Sequence, residues 1–181
     1  AAGVAYVVFG TDKGIAAEVD LGGLDGSDGF VLRDTFGGSL AGLSVATADV
    51  NGDGIADIIL GSPMANFYAG QATVLFGHNG TFAPVINFPA GSITQASIGG
   101  GIPGDFIGYS VSSAGDVNGD GIQDVILGAP GAGTYASNLY TGRTYVVFGA
   151  GNLGNVNFAT LNGSNGFMVT GGRNLDWSGA A

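Results

Sequence analysis

The segment Asp49-Val50-Asn51-Gly52-Asp53-Gly54-Ile55-Ala56-Asp57 carries Asp, Asn, Asp and Asp at its positions 1, 3, 5 and 9. A second segment, Asp116-Val117-Asn118-Gly119-Asp120-Gly121-Ile122-Gln123-Asp124, shares its first seven residues and its last with the first. Oxygen donors at alternate positions of a short loop suit a hard divalent cation. Calcium takes about six to eight oxygens at roughly 2.3–2.6 Å. Ile55 and Ile122, at position 7, can contribute only a backbone carbonyl, while their side chains anchor the loop to a core. Gly54 and Gly121, at position 6, permit the sharp turn that folds each segment around an ion. The spacing therefore names Asp49, Asn51, Asp53, Ile55 and Asp57 as one set of calcium ligands. The second set is Asp116, Asn118, Asp120, Ile122 and Asp124. Three carboxylates repel at close range, so each loop is expected to be loose without its ion. Magnesium demands tighter octahedral geometry, and zinc prefers His and Cys, which neither loop contains. A lone Asp-Gly pair would read as an ordinary hairpin turn. Two matching nine-residue copies do not.

Such loops need elements on either side. Three segments match one another: Gly3-Val-Ala-Tyr-Val-Val-Phe-Gly10, Gly70-Gln-Ala-Thr-Val-Leu-Phe-Gly77 and Gly142-Arg-Thr-Tyr-Val-Val-Phe-Gly149. They are spaced by 67 and 72 residues, and the two acidic loops by 67. Gly42-Leu43-Ser44-Val45 and Gly108-Tyr109-Ser110-Val111 precede the loops, and Leu175-Asp176-Trp177-Ser178-Gly179 looks like a further start of the same kind. Ile58-Ile59-Leu60-Gly61-Ser62-Pro63 and Val125-Ile126-Leu127-Gly128-Ala129-Pro130 follow them. Leu24–Val31 also resembles Leu161–Met168.

One repeat reads as four short strands, near Leu43–Ala48, Asp57–Leu60, Ala72–Phe76 and Ser92–Ala96. Runs apolar at every position, such as Ile58-Ile59-Leu60, imply burial on both faces. The fold class is all-β: propeller blades of four antiparallel strands, about two and a half of them here. Residues 1–36 read as the end of one blade, 37–101 and 102–172 as whole blades, and 173–181 as the start of another. A ring closes with about four to eight blades. The chain is thus expected to be part of a longer propeller or a subunit completed by copies of itself.

Composition narrows the function. Of 181 residues, 37 are Gly, and the net charge is −10. Six of the 14 acidic residues lie in the two loops, against only four Lys and Arg in the whole chain. Nucleic acid needs a basic footprint, which is missing, so no nucleic-acid partner is expected. No apolar stretch reaches the roughly 20 residues of a membrane span, so no membrane insertion is expected. Ala1 to Gly10 lacks the form of a signal peptide. With no cysteine, disulfides and thiolate metal sites are excluded.

With these loops, the Gly-Ala-Pro at 128–130 and the Phe-Gly-type starts, the chain resembles the FG-GAP repeat family, found in integrin α-subunit propellers and bacterial surface proteins. The resemblance implies that each repeat is one blade, with calcium between its first two strands. It also implies a secreted or cell-surface setting and a part in adhesion, recognition or surface assembly. The Phe-Gly signature departs to Ala41-Gly42 and Ile107-Gly108, and Gly-Ala-Pro to Gly61-Ser62-Pro63.

Other residues read as structural. His78 is the only histidine, with no Cys and no Gly-x-Ser-x-Gly, so no nucleophilic triad is assembled. Gly99-Gly100-Gly101 lacks the Lys of a phosphate loop. Tyr135, Tyr140 and Trp177 read as blade packing before they read as a ligand surface. Asn79-Gly80-Thr81 and Asn162-Gly163-Ser164 fit glycosylation acceptors only weakly. The expectation is a non-catalytic calcium module with a protein or glycan ligand. A lectin propeller, an accessory domain of a secreted hydrolase and a self-assembling structural protein stand as its rivals.

Overall fold

The computed structural model describes residues 3–12, 14–15, 17–35, 37–88, 95–133 and 140–181. Short runs of β-branched and aromatic residues, cut by glycine, form twelve strands among them. Three sheets result. The first is ordered β1 (Val4–Val8), β2 (Gly29–Asp34), β6 (Val85–Phe88). The second is ordered β3 (Ser44–Ala48), β4 (Asp57–Ser62), β5 (Gln71–Leu75), β7 (Gln95–Gly99), β11 (Val156–Asn157). The third is ordered β8 (Ser110–Gly115), β9 (Asp124–Ala129), β10 (Arg143–Val147), β12 (Gly166–Thr170).

The second and third sheets contain the expected antiparallel blade of four strands. The fourth strand of the first of these blades lies at Gln95–Gly99, a few residues after its expected position. Residues 92–94 of that expectation, like Tyr135, lie outside the described residues.

One feature was not expected. The connection leading to the fourth strand of a blade lends a short strand to the preceding sheet. Thus β6 pairs in parallel with β2, from Val31 opposite Val85 to Asp34 opposite Phe88. Likewise β11 pairs in parallel with β7, Val156 opposite Ile98. The second sheet therefore has five strands and is mixed rather than purely antiparallel.

Two apolar seams join the sheets. Phe30 and Leu32 of the first meet Leu60, Leu75 and Phe88 in one seam. Ile59, Val74 and Ile98 of the second meet Val125, Leu127 and Val147 of the third in the other. Ile59 and Leu60, both without measurable exposure, thus serve opposite seams. That is the two-sided burial implied by an unbroken apolar run.

Close approach of the sheets explains the repeated Gly-x-Ser and the Gly of Gly-Ser-Pro and Gly-Ala-Pro. A Cβ at Gly61 would lie 2.0 Å from the Gly108 carbonyl oxygen, and one at Gly128 would lie 1.8 Å from that of Gly179. Alongside, the Ser44 hydroxyl donates to the Gly108 carbonyl at 2.9 Å, and the Ser110 hydroxyl to the Gly179 carbonyl at 3.1 Å. Two residues before Gly42, Gly108 and Gly179 stand Leu40, Phe106 and Trp177, all left-handed with φ of 54°, 56° and 49°. The same strained entry thus recurs three times. Between β4 and β5, at the end of the sheet away from the acidic loops, Asn66, Phe67 and Tyr68 form a left-handed turn with φ from 52° to 67°. No helix among the described residues is long and apolar enough to cross a membrane.

Candidate metal centre

Loop 1 (49–57) joins β3 to β4, and loop 2 (116–124) joins β8 to β9, so the two occupy the same point of successive blades. Glycines at positions 4 and 6 take φ of 72° and 84° in loop 1, and of 77° and 89° in loop 2. These left-handed steps, nearly free for glycine alone, turn the chain back on itself.

The side chains then form one hydrogen-bond circuit, built twice. Asp49 accepts the Asp53 N–H on Oδ1 at 3.1 Å and the Gly54 N–H on Oδ2 at 2.8 Å. Asp116 does the same for Asp120 and Gly121, at 3.0 and 2.9 Å. Asn51 accepts the Asp53 N–H at 3.0 Å and donates its Nδ2 to Asp53 Oδ2 at 3.0 Å. Asn118 treats Asp120 identically, at 2.9 and 2.8 Å. The position-7 amides close the turn: Ile55 N–H donates to Asp53 at 2.8 Å, and Ile122 N–H to Asp120 at 2.9 Å.

Position 9 differs from the rest. Asp57 and Asp124 are fully buried at the first residues of β4 and β9. Asp57 accepts the Val50 N–H at 2.9 Å and the Gly77 N–H at 2.8 Å. Asp124 accepts the Val117 N–H at 2.7 Å and the Gly149 N–H at 2.9 Å. Each therefore ties the start of its loop to the end of the blade's third strand. Burial, opposed by those amides and assisted by the charges of Asp53 and Asp49, pushes the Asp57 carboxyl above the ordinary carboxylate range.

This assigns a role to residues that loop spacing alone does not single out. Gly77 and Gly149 end the repeated Phe-Gly segments. A Cβ on Gly77 would lie 2.4 Å from the Ala56 carbonyl oxygen, and one on Gly149 would lie 2.4 Å from that of Gln123. Only glycine lets the strand pass so close to the loop and present its N–H to the buried Asp. The signal was in the sequence, in the matched Phe76-Gly77 and Phe148-Gly149. The third copy, Gly10, faces open space.

Among the described residues, no group of three or more His, Cys, Asp or Glu side chains is gathered as a ready metal cluster. The carboxylates instead receive backbone N–H groups, which offset their mutual repulsion. The donor chemistry nonetheless fits a hard cation. Each loop supplies three carboxylates, an amide oxygen and a position-7 carbonyl, with no His or Cys among its residues. His78, by contrast, is stacked on Phe82 with ring centres 4.2 Å apart.

The FG-GAP repeat family matches residues 41–75 and 107–147, each span covering one acidic loop and the strands around it. Integrin alpha pat-2 of Caenorhabditis elegans is 31% identical over 168 residues, 78% of this chain. Integrin alpha-2 of Mus musculus is 34% identical over 128 residues, 68% of this chain. Phosphatidylinositol-glycan-specific phospholipase D of Bos taurus is 30% identical over 113 residues, 60% of this chain. The chain spans only 13%, 10% and 13% of the length of these relatives.

Proposed function

We propose that this chain, which carries FG-GAP repeats at residues 41–75 and 107–147, is a non-catalytic, calcium-stabilised propeller segment of a secreted or cell-surface protein that acts in adhesion or recognition. The observation that carries the reading is the same oxygen-rich circuit, built twice, at equivalent points of two repeats. Asp49, Asn51, Asp53, Asp57 and the Ile55 carbonyl would hold one ion. Asp116, Asn118, Asp120, Asp124 and the Ile122 carbonyl would hold the other. Bound calcium would neutralise the clustered carboxylates and cross-link the two halves of each loop.

The chain's own residues prepare for this. Position-4 and position-6 glycines set the turn. Asn51 and Asn118 orient the central Asp. Asp57 and Asp124 fix the loop to β5 and β10 through Gly77 and Gly149. A rigid rim results, and loops at the opposite end of the blades would carry contacts with a protein or glycan ligand. We further propose the blade boundaries 1–36, 37–101, 102–172 and 173–181, with β6 lent from the second to the first and β11 from the third to the second.

Thermal melting of the full chain in calcium and in EDTA tests the reading. A rise in melting temperature of several degrees with calcium, well above that with magnesium, is expected. Equal melting temperatures in calcium and EDTA would overturn it. A second reading, an accessory region of a secreted hydrolase, is favoured by the phospholipase relative. It predicts a catalytic domain elsewhere in the same polypeptide.

A further inference from the structure

The two loops touch each other, and one residue makes most of the connection. Gln123, at position 8 of loop 2, donates its N–H to the Asp49 carbonyl at 3.1 Å and accepts the Asp49 N–H on Oε1 at 2.9 Å. Both main-chain polar groups of Asp49 are thus held by a single residue of the neighbouring blade. We propose that Gln123 is a positioning residue that couples the loops, so that a divalent cation in either one raises the affinity of the other. The proposal rests on the reading of both loops as cation sites.

Gln123 stands between Ile122 and Asp124, the residues that would supply loop 2 with its position-7 carbonyl and position-9 carboxylate. An ion in loop 2 fixes that stretch of main chain, and Gln123 with it. Asp49 in turn opens loop 1, and its carboxylate receives the Asp53 and Gly54 amides. Fixing the Asp49 backbone therefore aims the first carboxylate of loop 1 before any ion arrives there. Two more contacts hold loop 1 to the neighbouring blade, the first from the segment after β10 and the second from loop 2. Ala150 N–H donates to the Val50 carbonyl at 2.9 Å, and a Cβ on Gly52 would meet the Ile122 side chain at 3.0 Å. Binding free energies are linked reciprocally, so the advantage passes in both directions. Loop 1 has Ala56 at position 8. Its methyl group offers no acceptor, so the coupling belongs to Gln123 and not to the loop as such.

Amide NMR of the full chain during calcium titration separates the two loops, because Gly54 and Gly121 donate to Asp49 and Asp116 respectively. The comparison uses wild type, Asp120→Ala, Gln123→Ala and the double variant. Gln123 is exposed, so its truncation leaves the fold in place, which melting in EDTA checks. Asp120→Ala is expected to weaken loop 1 about fivefold or more in the wild-type background. In the Gln123→Ala background the same change should move loop 1 only about twofold, since the Oε1 acceptor is lost while the main-chain N–H to the Asp49 carbonyl stays. Equal weakening in both backgrounds overturns the role of the Gln123 side chain, and no weakening in wild type overturns the coupling; either result leaves both cation sites standing. If Gly54 and Gly121 both ignore calcium in wild type, the cation reading itself falls and the coupling with it.

Discussion

Loop 1 and loop 2 share seven opening residues and the same side-chain circuit, yet their valines live in different surroundings. Val50 is fully buried, packed in the seam with Val125 and Val147. Val117, its counterpart, is 49% exposed. The difference is the neighbour. Loop 1 lies against the sheet that follows it, whereas no described residues cover loop 2 in the same way. In a stacked-repeat protein, stability belongs as much to the interface between units as to the unit. Identical residues at equivalent positions therefore carry unequal weight.

Substitution in pairs breaks the likeness where it is weakest. Val50→Ala should destabilise the chain by about 2 kcal/mol, through lost burial and a residual cavity. Val117→Ala should stay within about 0.5 kcal/mol. Urea unfolding midpoints compare the two directly, and equal shifts would mean that loop 1 draws nothing from the seam.

A smaller contrast is expected at position 4. Gly119→Ala should cost about 1 kcal/mol for its left-handed backbone alone, since nothing lies within 4 Å of the added Cβ. Gly52→Ala meets that cost and also crowds Ile122, so it should reach about 1.5 kcal/mol by the same measurement.

The smallest effect concerns pH. The Asp57 carboxyl is raised in the folded chain, so the folded state holds its proton more tightly than the unfolded one. Its contribution to ion-free stability is present below the ordinary carboxylate range and is lost as pH rises through the raised value. In EDTA, the wild-type minus Asp57→Asn difference in stability should therefore decline as pH rises through and above the ordinary carboxylate range. A difference that grows with pH over that interval would contradict the burial argument.

Much of this was legible in the residues, because their patterns are local. Ile58-Ile59-Leu60 announced a strand buried on both faces, and the alternation of Asp and Asn marked the loops. What escaped was relational. The strand Val85–Phe88 is four residues long and finds its partner, Val31–Asp34, more than fifty positions earlier. No short-range period records such a pairing. Gln123 escaped because the two loops differ at position 8, so the residue has no counterpart in the repeat. The burial of Val50 could not be read at all, since Val117 is the same residue in the same local sequence.

The lent strands have a mechanical consequence. Because β6 reaches back to β2, the backbone between the first two sheets, around Gly37 and Gly38, is not their sole tie. A protease that nicks the chain there leaves two pieces held by four residue pairs and the Phe30–Leu60 seam. The two unequal pieces would run as two bands once denatured but travel as one particle before. The molecule is sewn in overlapping stitches, and a single cut thread does not open the cloth.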